Sequence, residues 1–432
     1  MGRCADCGAW NSFVEERIEP RNAKSARSTK PFSKPVPVTE IQPMQEQRLS
    51  TGMREFDRVL GGGLVPGGVF LVGGAPGMGK STLLLQVGGK LTDAGKTVIY
   101  ISGEESLVQI KMRADRLGVH SDRFHLCAET DVDAIADLIR NQPCDLVVVD
   151  SIQTMYNSEL ETIPGNISQV RLCGHILNTV AKEMGVPLFL IGHVTKDGNL
   201  AGPRVLEHLV DGLLLLEGDR QHLYRLVRAV KNRFGSTNEI GLFEMKQEGL
   251  VEVSHPSEFL LSGRQDGASG SVVTVSMEGS RPMLVEVQAL VTPSVYGVPQ
   301  RTATGFDHKR LSILIAVLEK RLGLRLGNQD VFVNAAGGLR LKEPATDLAM
   351  TSALISSFRD TPVSSDMVIM GEVGLTGEIR GVPHLDRRMA EAERMGFKTW
   401  IVPKIGLTKS AASDHHTISV DTISKLEKHL FH

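Results

Sequence analysis

The chain has 432 residues, with 48 Lys and Arg against 50 Asp and Glu, giving a formal net charge of -2. At roughly 150 residues per domain this length holds two or three domains, and the even balance excludes nucleic-acid binding through overall charge, so any such surface is local. Hydrophobic residues make up 41%, yet no apolar run approaches the ~20 residues that span a bilayer, which excludes a membrane protein.

The first ten residues, MGRCADCGAW, contain no apolar h-region, an argument against secretion. Of five cysteines, Cys4 and Cys7 form a C-x-x-C pair while Cys127, Cys144 and Cys173 are scattered. That is no disulfide framework, and the expected compartment is the cytoplasm. Residues 16–50 are poor in large apolar side chains and carry Pro20, Pro31, Pro35, Pro37 and Pro43, a composition that cannot offset its ordering entropy and predicts a flexible linker. Within it Arg21, Lys24, Arg27, Lys30 and Lys34 follow one another without an acid. A solvated tether is the simpler reading, a nucleic-acid contact the alternative.

From Thr51 the pattern changes. The runs VFLVGG (69–74), TVIYIS (97–102), DLVVVDS (145–151) and PLFLIGHV (187–194) are β-rich and continuous, which predicts strands covered on both faces. Helical stretches over 81–91 and 166–184 lie between them, so the sheet is expected to be parallel. GLLLLEG, LYRLVRAVKN and IGLFEM follow with hairpin spacing, completing an α/β domain over 51–254. The stretch 255–270, rich in Gly, Ser and charge, predicts a second linker. Beyond it SVVTVSMEG and MLVEVQALV read as paired strands, and 308–323, 346–358 and 384–396 as helices. This predicts a separate α+β domain over 271–432.

The strongest local signal is GAPGMGKS at 74–81, which fits G-x-x-x-x-G-K-[ST] between a strand and a helix. Its glycines let backbone N–H groups converge on phosphate, the helix N-terminus adds partial positive charge, and Lys80 reaches the β/γ-phosphates. Gly74, Ala75, Pro76, Gly77, Met78, Gly79, Lys80, Ser81 and Thr82 are therefore the candidate nucleotide cradle, with Ser81 a ligand for Mg²⁺. DLVVVDS ends on Asp150, a carboxylate at the strand edge where that metal sits. Hydrolysis also needs a group to orient water. Glu104 and Glu105, after TVIYIS, are candidates, with Glu104 preferred, although either can cap the following helix. At the end of the strand PLFLIGHV, His193 and Lys196 are polar groups at the same edge and candidate γ-phosphate sensors; a lone His there is as readily a hydrogen-bonded strand end. Arg220, Arg225, Arg228, Lys231 and Arg233 form a segment without an acid, either a basic binding strand or a solvated one.

TGMREFDRVLGGGLVPG (51–67), GAPGMGKST, YISGEES, DLVVVDSIQT, GHVTKDGNLAGPRVLEHLVD (192–211) and KNRFG (231–235) together resemble the RadA/Sms family of bacterial DNA repair proteins, relatives of the RecA recombinase. The match runs in order through nearly the whole chain. It implies a RecA-like P-loop ATPase core that uses ATP and Mg²⁺, assembles as a homo-hexamer and binds single-stranded DNA. It also implies a helicase that drives branch migration of branched recombination intermediates beside a RecA-type recombinase. Carried over by position, Lys80, Glu104, Lys231 and Arg233 are catalytic, Ser81 and Asp150 hold magnesium, and His193 is the γ-phosphate sensor. The loop from Lys196 to Arg204 resembles the second DNA-binding loop, and Arg225 and Arg228 join it as candidate DNA contacts. Lys231 and Arg233, two apart on a strand and so on one face, resemble a cation pair offered to a neighbouring subunit's nucleotide.

Two departures stand out. The family opens with two C-x-x-C pairs around structural zinc, which needs four ligands. Here residues 1–15 carry only Cys4 and Cys7, a partial zinc-finger remnant, so Zn²⁺ is expected only if a second pair is supplied, by a longer start or by another chain. The C-terminal domain resembles the proteolytic domain of Lon peptidases, but Ala345 stands in place of the nucleophilic serine and Asp386 in place of the catalytic lysine. A Ser–Lys dyad needs both groups, so the domain is expected to be Lon-protease-like and non-proteolytic. The rival readings are an ATP-dependent peptidase and a non-translocating ATP-binding scaffold resembling RecA-like circadian clock ATPases.

Overall fold

Among the described residues, nine strands and six α-helices of the first domain follow one another from Arg54 to Glu252. They are α1 (Arg54–Leu60), β1 (Val69–Gly74), α2 (Lys80–Asp93), β2 (Val98–Ser102), α3 (Leu107–Arg116), β3 (Phe124–Ala128), α4 (Val132–Asn141), β4 (Leu146–Asp150), α5 (Ile167–Met184), β5 (Leu188–His193), α6 (Arg204–Leu209), β6 (Gly212–Glu217), β7 (Tyr224–Asn232), β8 (Ile240–Lys246) and β9 (Gly249–Glu252). The computed structural model describes residues 37, 48–193, 204–218, 224–295, 297–405 and 416–431. Cys4, Cys7, the linker cations, Lys196 and Arg220 lie outside the described residues.

The continuous apolar runs become the strands they predict. Every residue of β1, β2 and β4 is buried, because helices cover both faces of a parallel sheet. The strand order is β3-β2-β4-β5-β1-β6-β7-β8-β9. From β3 to β6 all neighbours are parallel, and β6 to β9 turn back antiparallel. Three of these helices start on side-chain caps: Ser106 with Gln109 closes a capping box on α3, Asp131 caps α4 and Asn166 caps α5. Each cap satisfies N–H groups that have no partner within the helix.

The second domain contains α7 (Pro256–Leu261), β10 (Ser271–Glu278), β11 (Arg281–Pro293), β12 (Arg301–Thr304), α8 (His308–Leu322), β13 (Gln329–Ala335), α9 (Asp347–Arg359), β14 (Met367–Ile369), β15 (Glu372–Val373), β16 (Ile379–Arg380), α10 (Leu385–Arg394), β17 (Thr399–Pro403), β18 (His416–Val420) and α11 (Ile423–Leu430). Its seven-stranded sheet runs β12-β13-β11-β10-β14-β17-β18, with β10 and β11 antiparallel from Ser271↔Gln288 to Glu278↔Arg281. The α+β expectation is met.

The linker expected at 255–270 is corrected, because Pro256 occupies the first turn of α7 and Leu260 is buried. Proline suits that position, where its missing N–H is not needed. Ser257 is wholly buried; its hydroxyl donates to Glu391 at 2.5 Å and accepts from the Leu284 amide at 3.2 Å. Leu226, Ile240 and Leu242 of the first domain share one buried cluster with Met283, Val285 and Leu341 of the second.

Candidate nucleotide-binding site

The sheet register builds the site. Gly74 of β1 pairs with His193 of β5, Val149 of β4 with Leu190 of β5, and Asp150 of β4 with Ser102 of β2. The carboxyl ends of four parallel strands thus lie side by side, which is where α/β proteins bind ligands. The loop after β1 needs its glycines. Gly77 and Gly79 have φ of 79° and 103°, a region open to glycine, and a Cβ at Gly79 would stand 2.7 Å from Met245 Cε.

Lys80 begins α2 and is only 5% exposed. Its ammonium donates to the carbonyls of Gly74 at 2.8 Å and Ala75 at 3.2 Å. Burial lowers its pKa, while the charges of Asp150 and Glu104 pull it back up. Both acids therefore act on the same cation. Asp150 is also buried, at 8%. Burial raises its pKa, and hydrogen bonds from Ser81 and Tyr100 oppose that rise. A buried carboxylate that the Ser81 hydroxyl already touches, beside a loop whose backbone conformation suits phosphate, is a donor set that fits magnesium and nucleotide.

At the end of β2 the two glutamates separate. Glu105 pairs with Arg113 of α3, and Ser102 caps its backbone at 3.0 Å. Glu104 accepts a hydrogen bond from Ser151, the residue after Asp150. The geometry brings Glu104 to the Asp150 side and turns Glu105 toward the helix. Gly103 between β2 and Glu104 is required by a close approach, since a Cβ there would lie 2.2 Å from Thr154 Oγ1. β5 ends on His193 and α6 begins at Arg204; the side chains of both fall outside what the structure describes.

Lys231 and Arg233 sit elsewhere. β7 runs antiparallel to β6, and Gly212↔Asn232 closes the end of the sheet from which β1 departs. Their end is therefore opposite the phosphate loop, about 15 Å away along β1 at roughly 3.3 Å per residue. Arg233 lies just past the strand rather than on it, yet both cations converge on the α6–β6 junction. Lys231 donates to the carbonyls of Glu207 at 2.6 Å and Val210 at 2.9 Å, and Arg233 to Asp211 at 3.0 Å. Asp211 also meets Lys182 at 3.4 Å. Burial first, then the charge of Arg233, holds Lys231 below its usual range. The sequence reading missed Lys182 and Asp211.

Arg225 and Arg228 correct the expectation that they are offered to DNA. Arg225 is 6% exposed and donates to the Tyr224 carbonyl at 2.8 Å. Arg228 bridges to Glu278 of the second domain at 2.8 Å and to Glu217 at 3.6 Å. Burial opposes and these acids favour its charge. Arg225 is buried within the first domain and Arg228 serves the junction between domains; the sequence of β7 alone carries no sign of Glu278.

In the second domain, Ala345 is 2% exposed, and its carbonyl accepts from Gly371 at 2.8 Å. The neighbouring Thr346 hydroxyl donates to the Glu343 carbonyl at 3.0 Å. Asp386 lies in the first turn of α10. Among the described residues no group of three or more His, Cys, Asp and Glu is placed to hold a metal, and no helix is long and apolar enough to cross a membrane.

A family model described as an AAA domain matches residues 35–199, and one described as subunit ChlI of Mg-chelatase matches 287–405. The chain is similar to the DNA repair protein RadA of Bacillus subtilis (strain 168), 53% identical over 411 residues that cover 94% of this chain and 90% of the relative. It is similar also to the DNA repair protein RadA of Listeria monocytogenes, 50% identical over 430 residues, 99% of this chain and 94% of the relative.

Proposed function

The chain belongs to the RadA family of DNA repair proteins, and on that premise we propose that it is a DNA-stimulated ATPase and helicase that drives branch migration of recombination intermediates. The RecA-like ATPase core carries nucleotide and magnesium chemistry. The observation that carries the finer reading is the shared strand edge: Lys80, Asp150, Glu104 and the end of β5 lie together, and residues 194–203 follow β5 in the sequence. On this reading Lys80 leaves the carbonyls of Gly74 and Ala75 for the β/γ-phosphates. Glu104, oriented by Ser151, aligns the attacking water and accepts its proton. Ser81 and Asp150 would hold magnesium, which would supply charge neutralisation at the phosphate oxygens. His193 registers the γ-phosphate and passes that state to Lys196 and Arg204, the DNA-facing cations.

Lys231 and Arg233, on the edge away from the chain's own phosphate loop, act on the nucleotide of a neighbouring subunit in a hexameric ring. Their far placement supports this, since within one chain they do not face Lys80. Ala345 and Asp386 supply neither a hydroxyl nor an amine, so the second domain is a non-proteolytic scaffold. Branched DNA and a RecA-type recombinase are the proposed partners, and a zinc ion would bind at Cys4 and Cys7 only with a second cysteine pair. Unwinding of a forked DNA with ATP by the wild-type chain, and none by Lys80→Ala, is the expected result. Wild-type protein that hydrolyses ATP but never separates the strands would contradict the helicase reading.

A further inference from the structure

Tyr100 is 1% exposed in the middle of β2, where every other side chain is apolar or a strand-end serine. A buried tyrosine hydroxyl needs a partner, and here it is the candidate magnesium acid: the Tyr100 hydroxyl donates to Asp150 Oδ2 at 2.5 Å. The register makes this contact possible. Tyr100 pairs with Val148 and Ser102 with Asp150, so Tyr100 stands two residues back on the same face and its ring spans the gap. Phe124 of β3 stacks on that ring, centroids 6.3 Å apart, which fixes its direction.

We infer that Tyr100 is a positioning residue for the magnesium site, holding the Asp150 carboxylate in its metal-binding orientation. Chemistry favours a phenol for this task. Arg or Lys would orient the carboxylate but cancel the charge the cation needs, whereas a neutral O–H donor orients it and leaves the charge in place. A phenol is protonated at neutral pH, so it remains a donor. Ser81, at the start of α2, bonds the same carboxylate, and Asp150 is thereby tied from the helix and from the neighbouring strand. The inference rests on the reading of Asp150 as the magnesium-binding acid.

The test is the affinity of a fluorescent ADP analogue, measured in EDTA and in excess magnesium. Wild type, Tyr100→Phe, Asp150→Asn and the double variant are compared, with thermal melting of each. Tyr100→Phe keeps the ring and removes only the hydroxyl. It should bind within about twofold of wild type in EDTA, while the gain in affinity from magnesium falls on the order of tenfold. In the Asp150→Asn background the same change should do nothing further. A magnesium gain equal to wild type in Tyr100→Phe, an equal loss with and without magnesium, or a further loss in the Asp150→Asn background would each overturn the inference. An undiminished magnesium gain in Asp150→Asn itself would overturn the reading of Asp150 and the inference with it.

Discussion

Arg281 of the second domain and Glu55 of the first meet at 2.8 Å with side chains 14% and 5% exposed. Glu55 also accepts the Leu242 amide at 3.2 Å, and Arg281 donates to the Ser254 carbonyl at 2.9 Å. Burial lowers the pKa of Arg281, offset by the charge of Glu55, so each ion depends on the other. Removing Arg281 leaves the buried Glu55 carboxylate with only the Leu242 amide and the more distant Arg58, at 3.4 Å. Arg281→Ala should cost about 3 kcal/mol in chemical denaturation, and the double variant with Glu55→Ala less than the sum of the singles. A loss of about 1 kcal/mol or less would mean the junction is held by its apolar cluster alone.

Gly103 joins β2 to Glu104, and its amide donates to the Asp150 carbonyl at 2.9 Å. The Cβ of Gly103→Ala would press on Thr154 Oγ1 and stand 2.9 Å from Thr130 Cγ2. About 1–3 kcal/mol of destabilisation is expected from such overpacking, with weaker nucleotide binding because Glu104 and Asp150 shift together. Gly263→Ala, where nothing lies within 4 Å, is the control. Equal melting temperatures for the two variants would contradict the packing argument.

For Lys231 and Arg233 the structure adds a complication to any activity assay. Lys231→Ala strips the donor from two carbonyls, at about 1–2 kcal/mol. Melting must therefore be measured beside turnover. In rings of either variant alone, ATP turnover should fall while nucleotide binding to the isolated subunit persists. Mixing with Glu104→Gln protein should restore activity at interfaces that combine two intact halves. Mixed rings that form and stay inactive would argue against action on a neighbouring nucleotide.

The architecture was legible where periodicity was strong. VFLVGG coincides with β1, and the helix expected over 166–184 is α5 from Ile167 to Met184. β3 escaped notice because FHLCA is a partly exposed edge strand without a continuous apolar run. The phosphate loop and Asp150 were readable from spacing and strand ends. Tyr100 was not singled out, although a lone phenol inside a buried run signals a partner. Arg225 and Arg228 misled because one-dimensional charge patterning treats a run without acids as exposed. Arg225 is buried, and the partner of Arg228, Glu278, is 50 positions away and in another domain. The α7 segment misled in the opposite way, since six residues with a leading proline are too short to show a helical period.

The central claim is that ATP hydrolysis at Lys80 is coupled to DNA held by the loop that follows β5. Steady-state ATP turnover with and without single-stranded DNA, over a range of salt, tests it most directly. Wild type should be stimulated by DNA, Lys80→Ala should be inactive with or without it, and Lys196→Ala and Arg204→Ala should keep basal turnover but lose stimulation. Each lost cation should lower the slope of log K against log salt by about 0.7. Stimulation and salt slope unchanged in both loop variants, or wild-type turnover indifferent to DNA, would contradict the account.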